Sequence, residues 1–277
     1  MTIAKAGIIL KKGSAEPERI SRELVDWFGE KDIDTVIDQV TEDLDLLVIL
    51  GGDGTLLHIA DRASRYDIPV VGINLGGLGF LTEVAVDEMY EALEAIVAGA
   101  VPVEKRMMLK ARHIRAGHPS AYQYCLNEVV ISKGNIDQLV RLGTWADDEY
   151  IASYRADGLI FSTPTGSTAY NLSAGGPVVE PTMNTILVTP ICPFMLESRP
   201  VLLDQTVKLT TRLSGAVKDL KVIIDGRQAW DMKEDDLLEV AKAEKPLRLL
   251  GSPQKGYFEI LRNKLNWGGG DGPPEAR

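Results

Sequence analysis

Gly51-Gly52-Asp53-Gly54-Thr55 follows the mostly apolar run Leu44 to Leu50 and precedes Leu56-Leu57-His58-Ile59-Ala60. The apolar run predicts a buried parallel strand, and the segment after the glycines predicts the first turns of a helix. Glycines at such a turn let backbone N–H groups approach a phosphate, and a helix N-terminus favours negative charge. Because a carboxylate there repels bare phosphate, Asp53 is better suited to interact with a proton, a hydroxyl group or a metal ion. The turn therefore indicates phosphoryl transfer to an alcohol, with a turn that only permits tight packing as an equally weighted alternative.

Composition limits the function classes that remain. The chain has 277 residues, of which 45% are hydrophobic and 25% charged, and this is typical of a globular protein of one or two domains. The net charge of −10 argues against a broad basic face for nucleic acid. No apolar run approaches the roughly 20 residues of a membrane helix. We therefore expect neither nucleic acid nor a membrane as a partner.

Cysteine and histidine usage argues against structural metal sites and disulfides. The cysteines are Cys125 and Cys192, with no Cys-x-x-Cys pair, and the three histidines show no metal-ligand spacing with them. The first residues, Met1 to Lys5, show no signal-peptide pattern. These features predict a protein of the reducing cytoplasm that holds no metal of its own.

The first hundred residues alternate between strand and helix patterns, which predicts a parallel sheet with helices on both faces. The predicted strands are Ala6 to Leu10, Thr35 to Ile37, Leu44 to Leu50 and Pro69 to Ile73, and the predicted helices are Pro17 to Phe28, Gly54 to Ser64 and Val86 to Val97. Ligands of such sheets bind beyond the carboxyl ends of the strands. The glycine-rich loops at Gly51 and at Gly72 to Gly79 both fall at such ends.

After Pro102 the pattern changes to many short strands, which predicts a β-sandwich-like domain. The predicted strands include Tyr122 to Ser132, Gly158 to Ser162 and Leu247 to Leu250, and one helix from Ser167 to about Ala174 interrupts them. A last helix, Gly256 to Leu265, is expected to pack on the first domain. The domains are thus predicted as residues 1–102 and 103–252, with a disordered tail over 268–277.

Two segments of the β-rich half carry polar groups suited to a nucleotide. Asn127 suits an adenine edge and Glu128 can accept from a ribose hydroxyl, although an ordinary strand end is the favoured local interpretation. The segment Thr163 to Ser173 offers hydroxyls and N–H groups to an anion, and its Tyr170 can stack on a base. The alternative there is plain helix capping by Thr165 or Ser167.

Taken together, these segments resemble the NAD kinase family, whose members make NADP from NAD and ATP. The matching segments are Gly51 to Thr55, Gly72 to Phe80, Asn127-Glu128, Arg155 to Gly158, Thr163 to Ser173, Cys192-Pro193, Ser198 to Pro200, Asp225-Gly226 and Tyr257 to Trp267. The resemblance implies a Rossmann-like α/β domain followed by a β-sandwich-like domain. It also implies ATP and NAD as substrates, Mg²⁺ with the ATP, and a homodimer or homotetramer.

The resemblance assigns roles to individual residues. Asp53 is the implied catalytic proton acceptor at the 2′-hydroxyl of the adenosine ribose. The implied ATP phosphate-binding residues are Gly51, Gly52, Gly54 and Thr55. The implied NAD-binding residues are Asp53, Gly54, His58, Asn127, Glu128, Arg155, Asp157, Thr168, Ala169, Tyr170, Asn171, Leu172, Ser173 and Arg227. Asp157 is matched to the nicotinamide carboxamide. Arg227 and Phe194 depart from the family, which often has Gln and His at these places.

Two other kinds of protein and one assembly surface are also considered. Lipid and sugar kinases share a similar glycine-aspartate-glycine loop, but the segments around Asn127 and Thr163 to Ser173 argue against them. Asp53 argues against a non-catalytic dinucleotide sensor.

The apolar positions Val129, Ile131, Leu139 and Leu142 either face another subunit or form internal core.

Overall fold

The computed structural model describes residues 3–77, 79–134, 138–195 and 197–267. It divides the chain into two units, one joining the chain up to Lys105 with the chain from Leu247 onward, and the other spanning Arg106–Pro246. The first predicted boundary is close to this division. The second boundary was predicted after residue 252, whereas in the structure the second unit ends at Pro246. The predicted tail, 268–277, falls outside the described residues.

The N-terminal part of the chain alternates between strands and helices as predicted. Its elements are β1 (Lys5–Leu10), α1 (Ala15–Gly29), β2 (Asp34–Ile37), β3 (Leu46–Leu50), α2 (Asp53–Tyr66), β4 (Val70–Asn74), β5 (Val84–Ala85), a 3₁₀ turn (Val86–Glu88), α3 (Met89–Val97) and β6 (Val103–Arg106). Every residue of β3 and β4 is buried, as expected for central strands covered on both faces. Ser14 begins α1 by accepting a hydrogen bond from the N–H of Glu16.

The second unit is built almost entirely of antiparallel strands. Its elements are β7 (Leu109–Arg115), β8 (His118–Pro119), β9 (Gln123–Cys125), β10 (Glu128–Lys133), β11 (Val140–Ala146), β12 (Glu149–Ala156), β13 (Gly158–Ser162), a 3₁₀ turn (Thr165–Thr168), α4 (Tyr170–Ser173), β14 (Thr185–Ile191), β15 (Val201–Asp204), β16 (Leu209–Leu213), β17 (Leu220–Ile224), β18 (Arg227–Met232) and β19 (Leu237–Lys242). One sheet has the order β15-β14-β13-β10-β17-β18 and the other β12-β11-β16-β19-β7-β8, with β9 paired to β7. This is the predicted sandwich-like arrangement.

The chain then returns to the first unit as β20 (Leu247–Leu250) and α5 (Tyr257–Leu265). The first sheet has the order β2-β1-β3-β4-β20-β6, with β5 also paired to β4. Because β20 pairs in parallel with β4, its assignment to the β-rich domain was wrong. Lys264, in the last turn of α5, has its Nζ 6.0 Å from the ring centre of Phe80 in the same unit. Across the described part of the chain, no helix has the length and apolar character needed to cross a membrane.

The positions considered for an assembly surface lie inside the second unit. Val129, Ile131 and Leu142 have no exposed surface and belong to the core cluster that both sheets contribute to. Leu139 is half-buried. For Val129, Ile131 and Leu142, internal core is therefore the correct interpretation, because strand alternation points them between the two sheets.

Candidate active site

The glycine-rich turn after β3 has the predicted strand-to-helix geometry. Asp53 is the first residue of α2, and Gly52 precedes it as the N-cap, where it has no side chain to occupy the helix N-terminus. A Cβ built on Gly52 or Gly54 meets no atom within 4 Å, whereas one on Gly51 comes 2.5 Å from Thr55 Oγ1. Glycine is therefore required at position 51 for packing, and the next two leave space beside an uncapped helix N-terminus, which is suited to an anion.

The carboxylate of Asp53 holds the second glycine-rich loop. Its Oδ2 accepts a hydrogen bond from the N–H of Phe80 at 2.9 Å. Its Oδ1 accepts from the N–H of Leu81 at 3.1 Å and from the N–H and hydroxyl of Thr82 at 3.0 and 2.9 Å. A Cβ on Gly79 comes 2.1 Å from the same Oδ1. The sequence placed both loops at one edge of the sheet but gave no sign of this contact.

The other predicted residues of the first unit lie on α2. Gly54 and His58 are exposed, and Thr55 is half-buried. His58 lies four residues after Gly54, about one helical turn, so both project from the N-terminal part of the same helix. Both positions are therefore accessible to a ligand bound at the N-terminus of α2.

In the second unit, Asp225 shapes the chain around Asn127 and Glu128. Its carboxylate accepts hydrogen bonds from the N–H groups of Leu126 at 2.8 Å, Asn127 at 2.9 Å and Glu128 at 3.1 Å. The predicted continuous strand Tyr122 to Ser132 is broken here into β9 and β10. Sequence reasoning gave Asp225 no role, although an aspartate followed by glycine directly after a strand is a turn signal that points to it. Asp225 itself has a positive φ of 44°.

Glu128 is a buried carboxyl group with unused hydrogen-bonding capacity. Its residue exposure is 8%, and its Oε2 has no partner among the described residues. Burial and the nearby Asp225 carboxylate raise the pKa of Glu128 to about 8, while the N–H of Tyr170 acts in the opposite direction. Burial also raises the pKa of Asp225, against the effect of its three N–H donors. A hydroxyl donor from a ligand is the kind of group that Glu128 lacks.

We expect Glu128 to make the unliganded protein less stable as the pH rises. The pKa of Glu128 lies near 8 in the folded chain and near 4.3 in the unfolded one. The protonated side chain therefore contributes fully to the free energy of unfolding below about pH 4, and this contribution is lost as the pH rises through about 8. Glu128→Gln keeps the shape but does not titrate. The melting temperature should therefore fall less between pH 5 and pH 8 in Glu128→Gln than in the wild type. An equal fall in both proteins contradicts the prediction.

The hydroxyl-rich segment is held mainly by its own polar side chains. The hydroxyl of Thr163 donates to the carbonyl of Leu126 at 2.6 Å and accepts from the N–H of Gly166 at 3.0 Å. The hydroxyl of Ser167 donates to the carbonyl of Val179 and accepts from its N–H. The side chain that accepts an N–H at the start of the 3₁₀ turn is therefore that of Thr163, and not that of Thr165 or Ser167, which the capping alternative named.

Asn171 is a correction to the predicted set of ligand-binding side chains. It is fully buried, its amide nitrogen donates to the carbonyls of Ser167 and Pro177, and its Oδ1 accepts from the hydroxyl of Thr189 at 2.6 Å. These contacts use its amide within the protein, so it fixes the segment and does not bind a ligand through its side chain.

The remaining residues of this segment keep some exposure to solvent. They are Thr168, Ala169 and Leu172, which are half-buried, and Tyr170 and Ser173, which are exposed. The segment is adjacent to Asn127, because a Cβ on Gly166 comes 2.2 Å from the Asn127 carbonyl oxygen. The N–H of Tyr170 likewise acts on Glu128. The structure thus brings together the two segments of the β-rich half that the sequence selected.

Arg155, Asp157 and Arg227 each have a neighbour in the second unit. Asp157 Oδ1 lies 2.6 Å from Lys133 Nζ, whose side chain is only 10% exposed. The guanidinium of Arg155 lies 4.9 Å from the ring centre of Phe194, so the unusual phenylalanine provides a cation–π contact. The pKa of Asp225 is raised by burial, and the charge of Arg227 opposes that rise by favouring the ionised carboxylate. Lys133 is a neighbour that the sequence analysis missed.

Comparison with known proteins gives two matching family models. The ATP-NAD kinase N-terminal domain matches residues 11–101, and the ATP-NAD kinase C-terminal domain matches residues 126–251. An NAD kinase of Geotalea daltonii is 39% identical over 265 residues, covering 90% of this chain and 93% of that protein. An NAD kinase of Heliobacterium modesticaldum is 41% identical over 280 residues, covering 95% and 98%.

Two solved structures share the fold. Yeast NADH kinase complexed with NADH superposes with a TM-score of 0.88 at 22% identity, covering all of this chain and 90% of that one. An NAD kinase from Archaeoglobus fulgidus in complex with ATP superposes with a TM-score of 0.77 at 24% identity, covering 95% and 98%. Both therefore support the α/β unit followed by a β-rich unit.

Proposed function

The chain belongs to the NAD kinase family, and from that premise we propose that Asp53 accepts the proton of the NAD ribose 2′-hydroxyl during phosphoryl transfer. The enzyme is a kinase that transfers the γ-phosphoryl group of ATP to NAD, giving NADP and ADP. The alternatives of a lipid or sugar kinase and of a non-catalytic sensor are accordingly set aside.

The observation that carries the role of Asp53 is its position as the first residue of α2, half-buried and beside two glycines that leave open space. A ribose hydroxyl is a weak nucleophile at neutral pH, and a positioned carboxylate orients it and takes its proton as the new P–O bond forms. The Oδ2 of Asp53 accepts one described hydrogen bond, from Phe80, which leaves acceptor capacity for the hydroxyl.

The backbone of Gly51 to Thr55 is the proposed binding site for the ATP phosphates. The N-terminus of α2 carries the positive end of the helix dipole, and the space at Gly52 and Gly54 lets phosphate oxygens approach the N–H groups. No cluster of three His, Cys, Asp or Glu side chains suited to a metal occurs in the described ranges. Mg²⁺ is thus proposed to arrive with the ATP, held by its phosphates.

The adenosine half of NAD is proposed to bind at Asn127 and Glu128. The amide of Asn127 matches the donor and acceptor of an adenine edge, and Glu128 Oε2 lacks a partner that a ribose hydroxyl would supply. Tyr170 is 42% exposed and close enough for its N–H to act on Glu128, so its ring is the proposed stacking surface. Thr168, Ala169, Leu172 and Ser173 are proposed to line the same dinucleotide.

Asp157 is proposed to bind the carboxamide of the nicotinamide, with Arg155 nearby. Replacing Asp157 by Asn removes one charge-assisted hydrogen bond worth about 1.5–3 kcal/mol. The Michaelis constant for NAD should therefore rise about 10- to 100-fold, and that for ATP should stay within about twofold. Because the change also removes the negative charge that pairs with Lys133, the melting temperature is measured beside the kinetics. Equal effects on both substrates contradict this placement.

A donor and acceptor panel on the purified protein tests the function directly. The protein is incubated with ATP, Mg²⁺ and either NAD, NADH, a hexose or a diacylglycerol, and the products are separated by chromatography. NADP and ADP in equal amounts are expected from the NAD reaction. ADP formed with the hexose or the lipid, and none with NAD, overturns the assignment.

A homodimer or homotetramer in the cytoplasm is the proposed state of the enzyme. Closed symmetric assemblies are the usual form of soluble oligomers. Since Val129, Ile131 and Leu142 are internal, the interface must use other residues. Light scattering of the active enzyme decides the question, because a mass near the 30.3 kDa of one chain excludes an oligomer.

A further inference from the structure

We propose that Thr82 is a positioning residue that fixes which oxygen of Asp53 receives the proton, an inference that rests on the proposed role of Asp53 as the base. Thr82 has no exposed surface, and its hydroxyl lies between Asp53 and the side chain of Asn74. Thr82 lies outside the segments that the sequence singled out, and Asn74 lies within Gly72 to Phe80 but was given no role of its own. The hydrogen bonds run from Gly76 through Asn74 and Thr82 to Asp53, and the donor at Gly76 decides the direction of each of them.

The first member is the backbone N–H of Gly76, which can only donate. It lies 2.7 Å from Asn74 and must meet the carbonyl oxygen of that amide. The amide nitrogen of Asn74 therefore faces Thr82, whose Oγ1 is 2.8 Å away. Since this nitrogen can only donate, the hydroxyl of Thr82 accepts from it and has its single proton left to give.

That proton points at Oδ1 of Asp53, 2.9 Å from Thr82 Oγ1. The same Oδ1 also accepts from the N–H groups of Leu81 and Thr82, so three donors surround it. A carboxylate oxygen has about two lone-pair positions, and those of Oδ1 are fully used. Oδ2 accepts only from Phe80 among the described contacts. The geometry thus directs the proton of the ribose hydroxyl to Oδ2.

The surroundings keep this arrangement rigid. A Cβ on Gly72 comes 2.5 Å from Thr82 Cγ2, and one on Gly79 comes 2.3 Å from Thr82 Oγ1. Two glycines of the loop region therefore make room for Thr82, a role separate from any approach to phosphate. Asn74 is 7% exposed, so solvent has little access to compete for the shared hydroxyl. A base held in one orientation needs no rearrangement at the moment of reaction.

Thr82→Val removes the hydroxyl and keeps the branched shape. One donor to the charged carboxylate is lost and Asp53 gains rotational freedom, so kcat should fall about 10- to 100-fold. The Michaelis constants for NAD and ATP should stay within about twofold, because no substrate contact is removed. Thr82→Ser retains the hydroxyl and should recover most of the lost turnover.

Asn74→Asp provides a second variant of nearly the same size. An aspartate still accepts from Gly76 but cannot donate to Thr82, so the hydroxyl proton is drawn towards residue 74 and away from Asp53. A fall in kcat similar to that of Thr82→Val is expected. Thr211→Val is the matched control, because it removes another fully buried hydroxyl, one bonded to Thr144 in the second unit. It should lower the melting temperature without a comparable loss of kcat.

Full steady-state kinetics and thermal melts on these variants and on Asp53→Asn decide the inference. A kcat of Thr82→Val within twofold of the wild type, or no recovery in Thr82→Ser, overturns the role of Thr82. Wild-type turnover in Asn74→Asp also overturns the role of Thr82, and this test remains valid even if Thr82→Val fails to fold. If these results occur while Asp53→Asn is inactive, only the positioning role is lost. An active Asp53→Asn instead overturns the role of Asp53 as the base.

Discussion

Asp53→Asn is expected to lower kcat by about 10²- to 10⁴-fold, the usual contribution of a general base. Asn keeps the size of the side chain and can present its oxygen to Leu81 and Thr82, whose three donors hold Oδ1 in the wild type. Its amide nitrogen then occupies the Oδ2 position, where it can neither take a proton nor accept from the N–H of Phe80. Since the proposed NAD-binding residues other than position 53 are unchanged, the dissociation constant of NAD should stay within a few-fold, as measured by calorimetry.

Asp61→Asn is the matched control for this change. Asp61 lies on the same helix, α2, and pairs with Arg65 on the surface at 2.7 Å. An exposed i,i+4 pair of this kind contributes little, so turnover and stability should stay close to those of the wild type. Near-normal turnover in Asp53→Asn, with Asp61→Asn also active, would falsify the assignment of the base.

Asp225→Ala is expected to have the largest effect on stability. It leaves the N–H groups of Leu126, Asn127 and Glu128 without their acceptor. An unsatisfied buried group costs about 1–3 kcal/mol, and because water partly reaches the truncated site the low end applies to each of the three groups, a total of about 3 kcal/mol. For a chain of this size the melting temperature should fall by roughly 6–12 °C. The Michaelis constant for NAD should rise as well, because Asn127 and Glu128 lose their fixed backbone.

Asp225→Asn separates the two contributions of this carboxylate. Its single carbonyl oxygen can still accept from Asn127 and Glu128, which share Oδ1 in the wild type. An intermediate melting temperature and a smaller rise in the Michaelis constant for NAD are therefore expected. If Asp225→Ala melts at the wild-type temperature, the three hydrogen bonds do not support the chain in the way described.

The sequence was most informative where function depends on local pattern. An apolar strand, a glycine-rich turn and a helix start are all set by neighbouring residues, and the structure has them at β3, Gly51 to Thr55 and α2. What local pattern could not supply is the partner of Asp53. Phe80 and Thr82 lie 27 and 29 positions further along the chain, and only the pairing of β3 with β4 makes their loop adjacent.

Long-range contacts also explain the errors in the β-rich half. Tyr122 to Ser132 has the alternation of one strand, but Asp225, almost a hundred positions later, takes up the N–H groups at its middle. The apolar alternation of Val129 and Ile131 is the same for an internal face and for an exposed one, so burial was decided only by the second sheet. Asn171 looked available because Thr189, whose hydroxyl donates to its side-chain oxygen, is 18 residues away.

The return of the chain as β20 has a consequence for the order in which the protein forms on the ribosome. Leu249 lies opposite Val70, which is 179 positions earlier in synthesis. Until β20 emerges, the part of β4 at Val70 and Val71 keeps an unpaired edge, because β5 pairs only with Ile73 and Asn74, and β6 lacks its neighbour in the sheet. The stretch Arg106–Pro246, by contrast, contains both of its own sheets and is continuous. The later-made unit thus has every strand it needs before the earlier-made one does, and a nascent chain halted before Leu247 presents an open edge to chaperones and proteases.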